Sequence, residues 1–490
     1  MAGEKSLKKN GILNVIRTLM GVIFPLITFP YASRILLPDG LGKVNFANSV
    51  IAYFALIAKL GITTYGTREA AKLRNDRNAL SKLVKELFII NISSTFIAYI
   101  LFFLLLPVVP KFQNYRSLLL ISSLTIFFST IGFEWVYSAL EEYGYITKRS
   151  ILFQLISLIL LFTFVKTRED YLIYMGIKVF STVGSNVLNA FNLRKYIVLK
   201  TFGRLELKKH LKPVFVLFGM SAVTSIYTVL DTIMLGTLTD DVQVGFYTAA
   251  TAINRITLMV VTSACAVLFP RLSFFAEQED KTMFKSLLNK SLSVTLCFAI
   301  PATVGLNLLS EPITIIFSGE SYLPSVSVMK MMNPIIIIIA LSNFIGIQCL
   351  IPLNKERITL YSVCLGAITN FGLNCILIPR YGALGAAIGT VTAESAITIF
   401  QIIVARKCIT LNFVVKYVIQ YTIGTFVMGI CVFIIVNLFG SLVLQIVLSM
   451  LGGIFCYIVV LIFLKNETIW SVLSVLRNKL EMKTFKDIKK

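Results

Sequence analysis

Several charged side chains lie within long apolar stretches of the chain, where an unpaired charge is costly. Arg255 and Glu394 lie well inside such stretches, and Asp231 lies toward the end of another. A charge at the centre of a bilayer costs roughly 2.5–3.5 kcal/mol on insertion scales. We therefore expect these side chains to face a water-filled interior. There an arginine can bind phosphate through its planar guanidinium, and a carboxylate can titrate or coordinate a cation.

Polar residues, together with the small residues Gly21 and Ala52, recur at helical spacing in four of these stretches, at Asn14, Arg17, Thr18, Gly21, Thr28; Asn45, Asn48, Ala52, Lys59; Ser221, Thr224, Thr228, Asp231; and Thr248, Thr251, Arg255, Thr262. A helix with one polar stripe lines a cavity on that side and faces lipid elsewhere. For the serine and threonine positions, close helix–helix packing explains the pattern as well. Arg17, Arg34 and Lys59 lie nearer helix ends, and side chains that reach the membrane surface explain them as well. Lys178 and Lys330 are ambiguous for the same reason.

These positions define a candidate site, whose cavity residues are Arg17, Arg34, Asn48, Lys59, Thr228, Asp231, Thr251 and Arg255. Asp231 and Glu394 are the candidates for coupling to an ion, Na+ or H+. Pro25 and Pro30 interrupt the first stretch and are hinge candidates, because proline removes a backbone hydrogen bond and bends a helix; a static bend is the alternative. Cations outnumber acids in this set, which favours an anionic substrate. No catalytic group and no metal site is predicted.

The composition indicates what kind of elements must hold these residues. Of 490 residues, 57% are hydrophobic and 14% are charged, with a mean hydropathy of +0.83. A soluble domain carries about 25% charged residues, so the chain reads as an all-α integral membrane protein. His210 is the single histidine, which argues against a His-ligated metal centre or a Ser-His-Asp hydrolase. There is no GxxxxGK[ST] loop for a nucleotide, and none of the eight cysteines forms CxxC.

A membrane helix needs about 20 mainly apolar residues, and this rule predicts about fourteen spans. They cover approximately 11–37, 42–64, 84–107, 116–140, 146–165, 170–192, 213–237, 244–269, 288–310, 324–350, 357–378, 383–405, 412–437 and 441–464. With the N-terminus inside, inner segments hold about five times more Lys and Arg than outer ones. The net charge of +22 is therefore explained by cytoplasmic loops rather than by nucleic-acid binding. Both termini are expected in the cytoplasm.

The longest internal loop, 192–212, separates spans six and seven and is strongly basic. We therefore expect an N-terminal lobe at 1–203 and a C-terminal lobe at 204–405, pseudo-symmetric around a central cationic cavity. Spans thirteen and fourteen and a cytoplasmic tail occupy 406–490. A faint internal repeat supports two lobes, because Gly42 and Gly245 each open the second helix of a pair and each has an alanine five residues later.

Particular segments resemble polysaccharide (O-antigen, Wzx/RfbX-type) flippases of the multidrug/oligosaccharidyl-lipid/polysaccharide exporter superfamily. The first-helix segment is Pro25-Leu-Ile-Thr-Phe-Pro-Tyr-Ala-Ser-Arg-Ile-Leu, followed by Gly40-Leu-Gly. The later segments are Gly61-Ile-Thr-Thr-Tyr-Gly-Thr-Arg-Glu-Ala-Ala, Glu134-Trp, Asp231-Thr-Ile-Met-Leu-Gly, Val244-Gly-Phe-Tyr-Thr-Ala-Ala and Pro379-Arg-Tyr-Gly-Ala-Leu-Gly-Ala-Ala. The N-terminal motifs are fairly specific, whereas the later ones also occur in multidrug extruders and lipid II flippases.

The resemblance implies a protein that moves undecaprenyl-diphosphate-linked oligosaccharide repeat units across the bacterial cytoplasmic membrane for polysaccharide biosynthesis, by alternating access. It implies a multi-pass transporter that is not an enzyme and needs no cofactor, with Na+ or H+ coupling. The expected partners are the lipid-linked oligosaccharide, membrane lipids, and the polymerase and glycosyltransferases of the same pathway. Carried over by position, Arg17, Arg34, Lys59, Asp231 and Arg255 would be cavity residues.

Two other functions compete with this one. An ion-coupled drug or cation antiporter of the same superfamily would need a cavity rich in carboxylates, and cations predominate here. A membrane enzyme such as a polysaccharide polymerase or acyltransferase usually carries acid and base residues in a long extramembrane loop. All loops here are short, and His210 is predicted to face inward.

Overall fold

The computed structural model describes residues 7–198, 204–266, 268–278, 280–406 and 415–470, so that most of the tail predicted at the C-terminus lies outside it. These residues are almost entirely helical. The α-helices are α1 (Leu7–Lys59), α2 (Ile62–Lys72), α3 (Arg77–Val108), α4 (Pro110–Asn114), α5 (Arg116–Ile131), α6 (Glu134–Ala139), α7 (Tyr143–Phe164), α8 (Tyr171–Val179), α9 (Asn186–Asn192), α10 (Lys208–Leu238), α11 (Asp241–Ala266), α12 (Phe269–Glu277), α13 (Lys281–Leu308), α14 (Ser310–Ser318), α15 (Ser325–Met332), α16 (Ile335–Asn343), α17 (Glu356–Ala405), α18 (Val415–Leu438) and α19 (Leu442–Phe463). The predicted all-α membrane class is confirmed.

Two of these helices contain a sharp break at a predicted outer turn. In α1 the break is at Leu37, with φ 58° and ψ 176°, immediately before Pro38. In α17 it is at Gly382, with φ 54° and ψ −130°. Pro38 then occupies the first turn of the next helical segment, where its missing N–H costs nothing. Pro25 and Pro30 lie inside helical backbone, and the non-helical residue of α1 follows them at Leu37.

Within the described residues, nine helices are long and apolar enough to cross a membrane, and α10 makes a tenth if its two parts, which are bent by 54°, count as one span. The predicted count of about fourteen remains a prediction. Two of the nine helices are the broken α1 and α17, each of which covers two predicted spans. The predicted fourth span, 116–140, is divided into the 16-residue α5 and the short α6. At 1.5 Å per residue α5 alone reaches about 24 Å, short of a hydrocarbon core of about 30 Å. The predicted sixth span is divided by a π-helical turn at Phe180–Gly184.

The chain divides into two compact units. Unit 1 comprises Met1–Thr248 and Ile378–Ala383, and unit 2 comprises Ala249–Leu377 and Leu384–Lys490. In unit 1, α1 packs against α3, α5, α7, α8 and α10. In unit 2, α13 packs against α16 and α18, and α18 packs against α19. The predicted lobes at 1–203 and 204–405, and the further part at 406–490, remain a prediction.

The core at the predicted inner end of unit 1 joins α2, α3, α6 and α10. Its buried residues include Ile62, Leu83, Leu87, Trp135 and Val214. Gly66 of α2 lies directly against the indole of Trp135, where an added Cβ atom would be 2.7 Å from the ring. Since an interior packs as densely as an organic crystal, this contact fixes how closely α2 and α6 approach.

Candidate functional site

The basic candidates Arg17 and Arg34 of the first predicted span and Lys59 of the second all lie on α1, and they differ in their surroundings. Arg17 forms an ion pair with Glu134 of α6, and both side chains are about one-third exposed, at 34% and 39%. Arg34 is exposed and donates from Nη1 to the carbonyl oxygen of Pro30 at 2.9 Å. Lys59 is exposed in the last turn of α1, where a cation interacts favourably with the helix dipole. Arg17 is thus held in place by a carboxylate, while its remaining N–H groups stay able to donate.

A second arginine lies in the same unit and was not among the predicted site residues. Arg149 of α7 is buried, and its Nη1 donates to the carbonyl oxygen of Ser185 at 3.1 Å and to Oδ1 of Asn186 at 3.3 Å. From the sequence it reads as a cytoplasmic loop cation, because Lys148 precedes it. Its burial and its contacts with Ser185 and Asn186 at the start of α9 distinguish it from such a loop cation.

The asparagines predicted along the second stretch have separate partners. Oδ1 of Asn48 accepts a hydrogen bond from Ser122 of α5 at 3.2 Å. Nδ2 of Asn45 donates to Oγ1 of Thr248 at 3.1 Å, and Nζ of Lys178 donates to Oδ1 of Asn45 at 3.2 Å. Asn48 therefore takes part in helix packing, whereas Asn45 connects α8 to the start of α11.

Two acidic candidates are buried in different units. Asp231 of α10 is 6% exposed and accepts a hydrogen bond from the hydroxyl of Tyr247 in α11. Glu394 of α17 is 9% exposed, one turn before Thr398, whose hydroxyl donates to the carbonyl oxygen of Glu394 at 2.9 Å. Acidic side chains within membrane segments are rare and commonly functional, so both positions are consistent with a functional role.

The remaining candidates lie on α10 and α11. Thr228 is exposed, and its hydroxyl donates to the carbonyl oxygen of Ser225 at 3.1 Å. Thr251 is half-buried and Arg255 is exposed, and both belong to unit 2. Because Arg255 is exposed on the surface of unit 2, its guanidinium group can be reached by an anion.

The predicted inner end of unit 1 contains a buried ionic cluster that the sequence did not reveal. Glu86 of α3 is 1% exposed, and its Oε2 lies 2.8 Å from Nε2 of His210, the single histidine. Nδ1 of His210 lies 2.8 Å from the hydroxyl of Tyr65. Nζ of Lys209 lies 3.5 Å from Oε2 of Glu86, and the backbone N–H of Glu206 donates to its Oε1 at 2.7 Å. The cluster ties the first turn of α10 and the connector before it to α2 and α3.

The predicted outer end of unit 1 carries a second group of charges. Asp39 accepts from Lys43 at 2.9 Å and pairs with Arg168 at 3.2 Å. Asp241, the first residue of α11, is buried at 9% exposure and accepts a hydrogen bond from the hydroxyl of Tyr115. An acidic side chain in this position also interacts favourably with the N-terminal dipole of its helix.

No group of three or more His, Cys, Asp or Glu side chains in the described part of the chain could hold a metal ion. Of the candidate residues, those on α1 and α10 lie in unit 1, whereas Thr251, Arg255 and Glu394 lie in unit 2. Guanidinium and ammonium groups can bind an anion, and a buried carboxylate can titrate or coordinate a cation.

Comparison with known proteins gives a consistent result. The model of a family described as "Polysaccharide biosynthesis protein" matches residues 7–276. A putative O-antigen transporter of Shigella dysenteriae is 24% identical over 398 residues, covering 81% of this chain and 99% of the relative. A second putative O-antigen transporter, from Escherichia coli (strain K12), is 22% identical over 412 residues, covering 82% and 97%. The solved structure of the lipid II flippase MurJ, in an inward closed conformation, superposes with a TM-score of 0.76 at 16% identity, covering 93% and 99%.

Proposed function

The chain belongs to the polysaccharide biosynthesis protein family, and we propose on that premise that it is a flippase for a lipid-linked oligosaccharide. Its substrate would be an undecaprenyl-diphosphate-linked repeat unit, which it would carry from the inner to the outer leaflet of a bacterial cytoplasmic membrane. The observation that carries the proposal is the similarity to O-antigen transporters over nearly their whole length. The sequence motifs that resemble those of O-antigen flippases agree with this proposal, and so do the apolar helices long enough to cross a membrane.

The mechanism we propose involves no covalent chemistry. Arg255 and Arg17 would attract the diphosphate, since a guanidinium matches a phosphate with two parallel N–H groups. The exposed position of Arg255 and the partial exposure of Arg17 support this role. Hydroxyl-bearing faces such as that of Thr228 would admit the sugars, and the lipid tail would stay in the bilayer. The protein would alternate between states open to the inner and outer sides.

Orientation and coupling are part of the same proposal. The excess of Lys and Arg in alternate loops supports cytoplasmic termini. Asp231 and Glu394 are the carboxylates that would couple transport to Na+ or H+, and their burial supports this. A transport assay in vesicles with either a Na+ or a proton gradient would identify the ion. The polymerase and glycosyltransferases of the pathway would be its functional partners.

The proposed function is tested by deleting the gene and analysing the lipid-linked oligosaccharides by mass spectrometry. We expect a complete repeat unit to accumulate on the inner leaflet while surface polymer is lost. Unchanged polymer and unchanged lipid intermediates, in a strain with no redundant flippase, would contradict the proposal. Resistance to cationic dyes on overexpression would then favour the drug antiporter instead.

The role of Arg255 is tested in the same strain. Arg255→Ala should abolish export at normal protein level, because the diphosphate loses its guanidinium partner, whereas Arg255→Lys keeps a charge and should retain part of the activity. Arg357→Ala is the matched control, since Arg357 is exposed in the first turn of α17 and is not a cavity candidate. Full export by Arg255→Ala would remove Arg255 from the mechanism.

A further inference from the structure

The break in α1 and the turn between α10 and α11 meet in unit 1 at the predicted outer end. A Cβ atom added to Gly42 would lie 1.8 Å from the carbonyl oxygen of Asp241, and one added to Gly245 would lie 2.2 Å from the carbonyl oxygen of Pro38. Real Cβ atoms do not approach other atoms within 3.0 Å. Each glycine therefore allows the backbone of the opposite turn to come closer than any other residue would permit.

These contacts are related by a two-fold pseudo-symmetry. Asp241 follows Pro38 by 203 positions, and Gly245 follows Gly42 by the same number. Gly42 thus contacts Asp241, which corresponds to Pro38, and Gly245 contacts Pro38 itself. This reciprocal pattern, in which i contacts j′ and j contacts i′, is the signature of a two-fold axis. The two glycines of the faint sequence repeat are therefore the residues at which the two turns meet.

The axis passes between two side chains that correspond to each other. Thr248 follows Asn45 by the same 203 positions, and Nδ2 of Asn45 donates to Oγ1 of Thr248 at 3.1 Å. This hydrogen bond joins uncharged groups, and it is the side-chain contact at the centre of the two interlocked turns. Separation of the turns requires breaking it.

One charged residue breaks the symmetry. Nζ of Lys178, on α8, donates to Oδ1 of Asn45 at 3.2 Å. In the described part of the chain, no carboxylate lies within 4.0 Å of this ammonium group, although Asp39 and Glu134 hold other cations of unit 1. An ammonium group in a membrane segment whose partner is an amide oxygen interacts far more strongly with an anion when one arrives.

We propose that Gly42, Gly245, Asn45 and Thr248 form a latch that keeps the outer side of the protein closed, and that Lys178 holds this latch until a diphosphate draws its ammonium group away. In the closed state Lys178 fixes the amide of Asn45 so that Nδ2 points at Thr248. When an anion takes the ammonium group, Asn45 loses that constraint and the two turns separate. Lys178 is then the positioning residue through which the substrate opens the outer side; this step rests on the proposed function.

The state of the outer side can be measured by thiol labelling. Thr18→Cys places a thiol on the polar face of α1, nineteen residues from Leu37, or about 28 Å along the helix axis. The eight native cysteines are replaced by alanine, and right-side-out membrane vesicles are treated with a membrane-impermeant maleimide. The labelling rate then reports how often the outer side is open.

The glycine contacts give the first pair of variants. Gly42→Ala and Gly245→Ala should each raise the labelling rate at least tenfold, because a methyl group cannot fit against the opposite turn. Gly21→Ala and Gly219→Ala are the matched controls on α1 and α10, since nothing lies within 4 Å of a Cβ added at either position. Their labelling rates should equal that of the parent.

The lysine variants separate the hydrogen bond from the charge and do not depend on the glycine variants folding. Lys178→Met removes both, and its labelling rate should rise at least tenfold. Lys178→Gln keeps a donor for Asn45 and removes the charge, so its basal rate should stay at the parent value while its response to a diphosphate is lost. Lys178→Arg keeps both and should behave as the parent. A merely structural role would give Lys178→Gln and Lys178→Arg the same behaviour.

The probe is undecaprenyl diphosphate incorporated into the vesicles, with undecaprenol as the uncharged control. Undecaprenyl diphosphate should raise labelling of the parent several-fold and undecaprenol should not. No response of the parent, or an equal response from Lys178→Gln, would overturn the proposal, as would parental labelling of folded Gly42→Ala. If the parent fails to restore polymer export in the deletion strain while this labelling pattern is seen, the proposed function fails and the latch is supported.

Discussion

Replacement of His210 by alanine is the perturbation whose effect follows most directly from the structure. The imidazole is 3% exposed and has a partner at each nitrogen: Glu86 at 2.8 Å from Nε2 and Tyr65 at 2.8 Å from Nδ1. It also packs edge-to-face on the ring of Tyr65, with 5.5 Å between the ring centroids. His210→Ala therefore removes two hydrogen bonds and an aromatic contact from one buried position.

The expected cost can be worked out for each interaction. A hydrogen bond to a charged group contributes about 1.5–3 kcal/mol, and a neutral one about 0.5–1.5 kcal/mol. Glu86 keeps the N–H of Glu206 and the ammonium group of Lys209, so its carboxylate is not left without partners and the lower half of the range applies. We expect His210→Ala to lower the free energy of unfolding by about 3 kcal/mol.

The measurement is titration of the purified protein with SDS in mixed micelles, followed by tryptophan fluorescence. Lys212→Ala is the control, because Lys212 is exposed two residues further along α10, and its effect should stay within about 0.5 kcal/mol. A double-mutant cycle with Glu86→Gln should give a coupling energy of about 1–2 kcal/mol. A loss below about 1 kcal/mol, or additive effects in the cycle, would refute this assignment of the cluster.

Three further predictions concern other contacts of unit 1. Gly66→Ala drives a methyl group into the indole ring that packs on this glycine, and it should cost about 1–3 kcal/mol by the same titration; parental stability would contradict the contact. Arg17→Glu should cost about 1 kcal/mol, discounted for the partial exposure of the pair, and Arg17→Glu combined with Glu134→Arg should restore stability but not export, since the diphosphate would still meet a carboxylate. Export restored together with stability would limit Arg17 to a structural role. The ammonium group of Lys209 lowers the pKa of Glu206 below its ordinary value of 4.5, so this contribution is complete above pH 4.5 and is lost as the pH falls through the folded-state pKa; the stability of Glu206→Gln should therefore fall less steeply below pH 4.5 than that of the parent.

The elements were predictable because their cause is local. Apolar stretches of sufficient length dictate membrane helices, and each predicted stretch is mainly helical where the structure describes it, with breaks such as Gly132–Phe133 in 116–140 and Asn333–Pro334 in 324–350. The position of the break in α1 was less predictable. The backbone leaves helical geometry at Leu37, and the hinge role of Pro25 and Pro30 stays a prediction. The available signal was Pro38, because proline restricts the residue before it.

The side-chain partners were not predictable, because they join residues far apart in the sequence. Glu86 and His210 are separated by 124 positions, and Arg17 and Glu134 by 117. Helical spacing shows which residues share a face, but not which helix meets that face. The hydrogen bond of Asn48 with Ser122 of a neighbouring helix, and that of Lys178 with Asn45 beside the pseudo-two-fold axis, are therefore not visible in the sequence.

The two ends of unit 1 are held by interactions of different strength, and this difference indicates which end can open. At the inner end, the buried carboxylate of Glu86 is held by the imidazole of His210 and by the backbone N–H of Glu206, and hydrogen bonds to a charged group contribute about 1.5–3 kcal/mol each. At the outer end, Asp241 accepts one such hydrogen bond from Tyr115, and the hydrogen bond between Asn45 and Thr248 is neutral and contributes about 0.5–1.5 kcal/mol. A transporter must break its closing contacts in every cycle, and the outer contacts are the weaker of the two sets. The inner cluster of unit 1 is therefore expected to persist throughout the cycle, while the glycine contacts open and close.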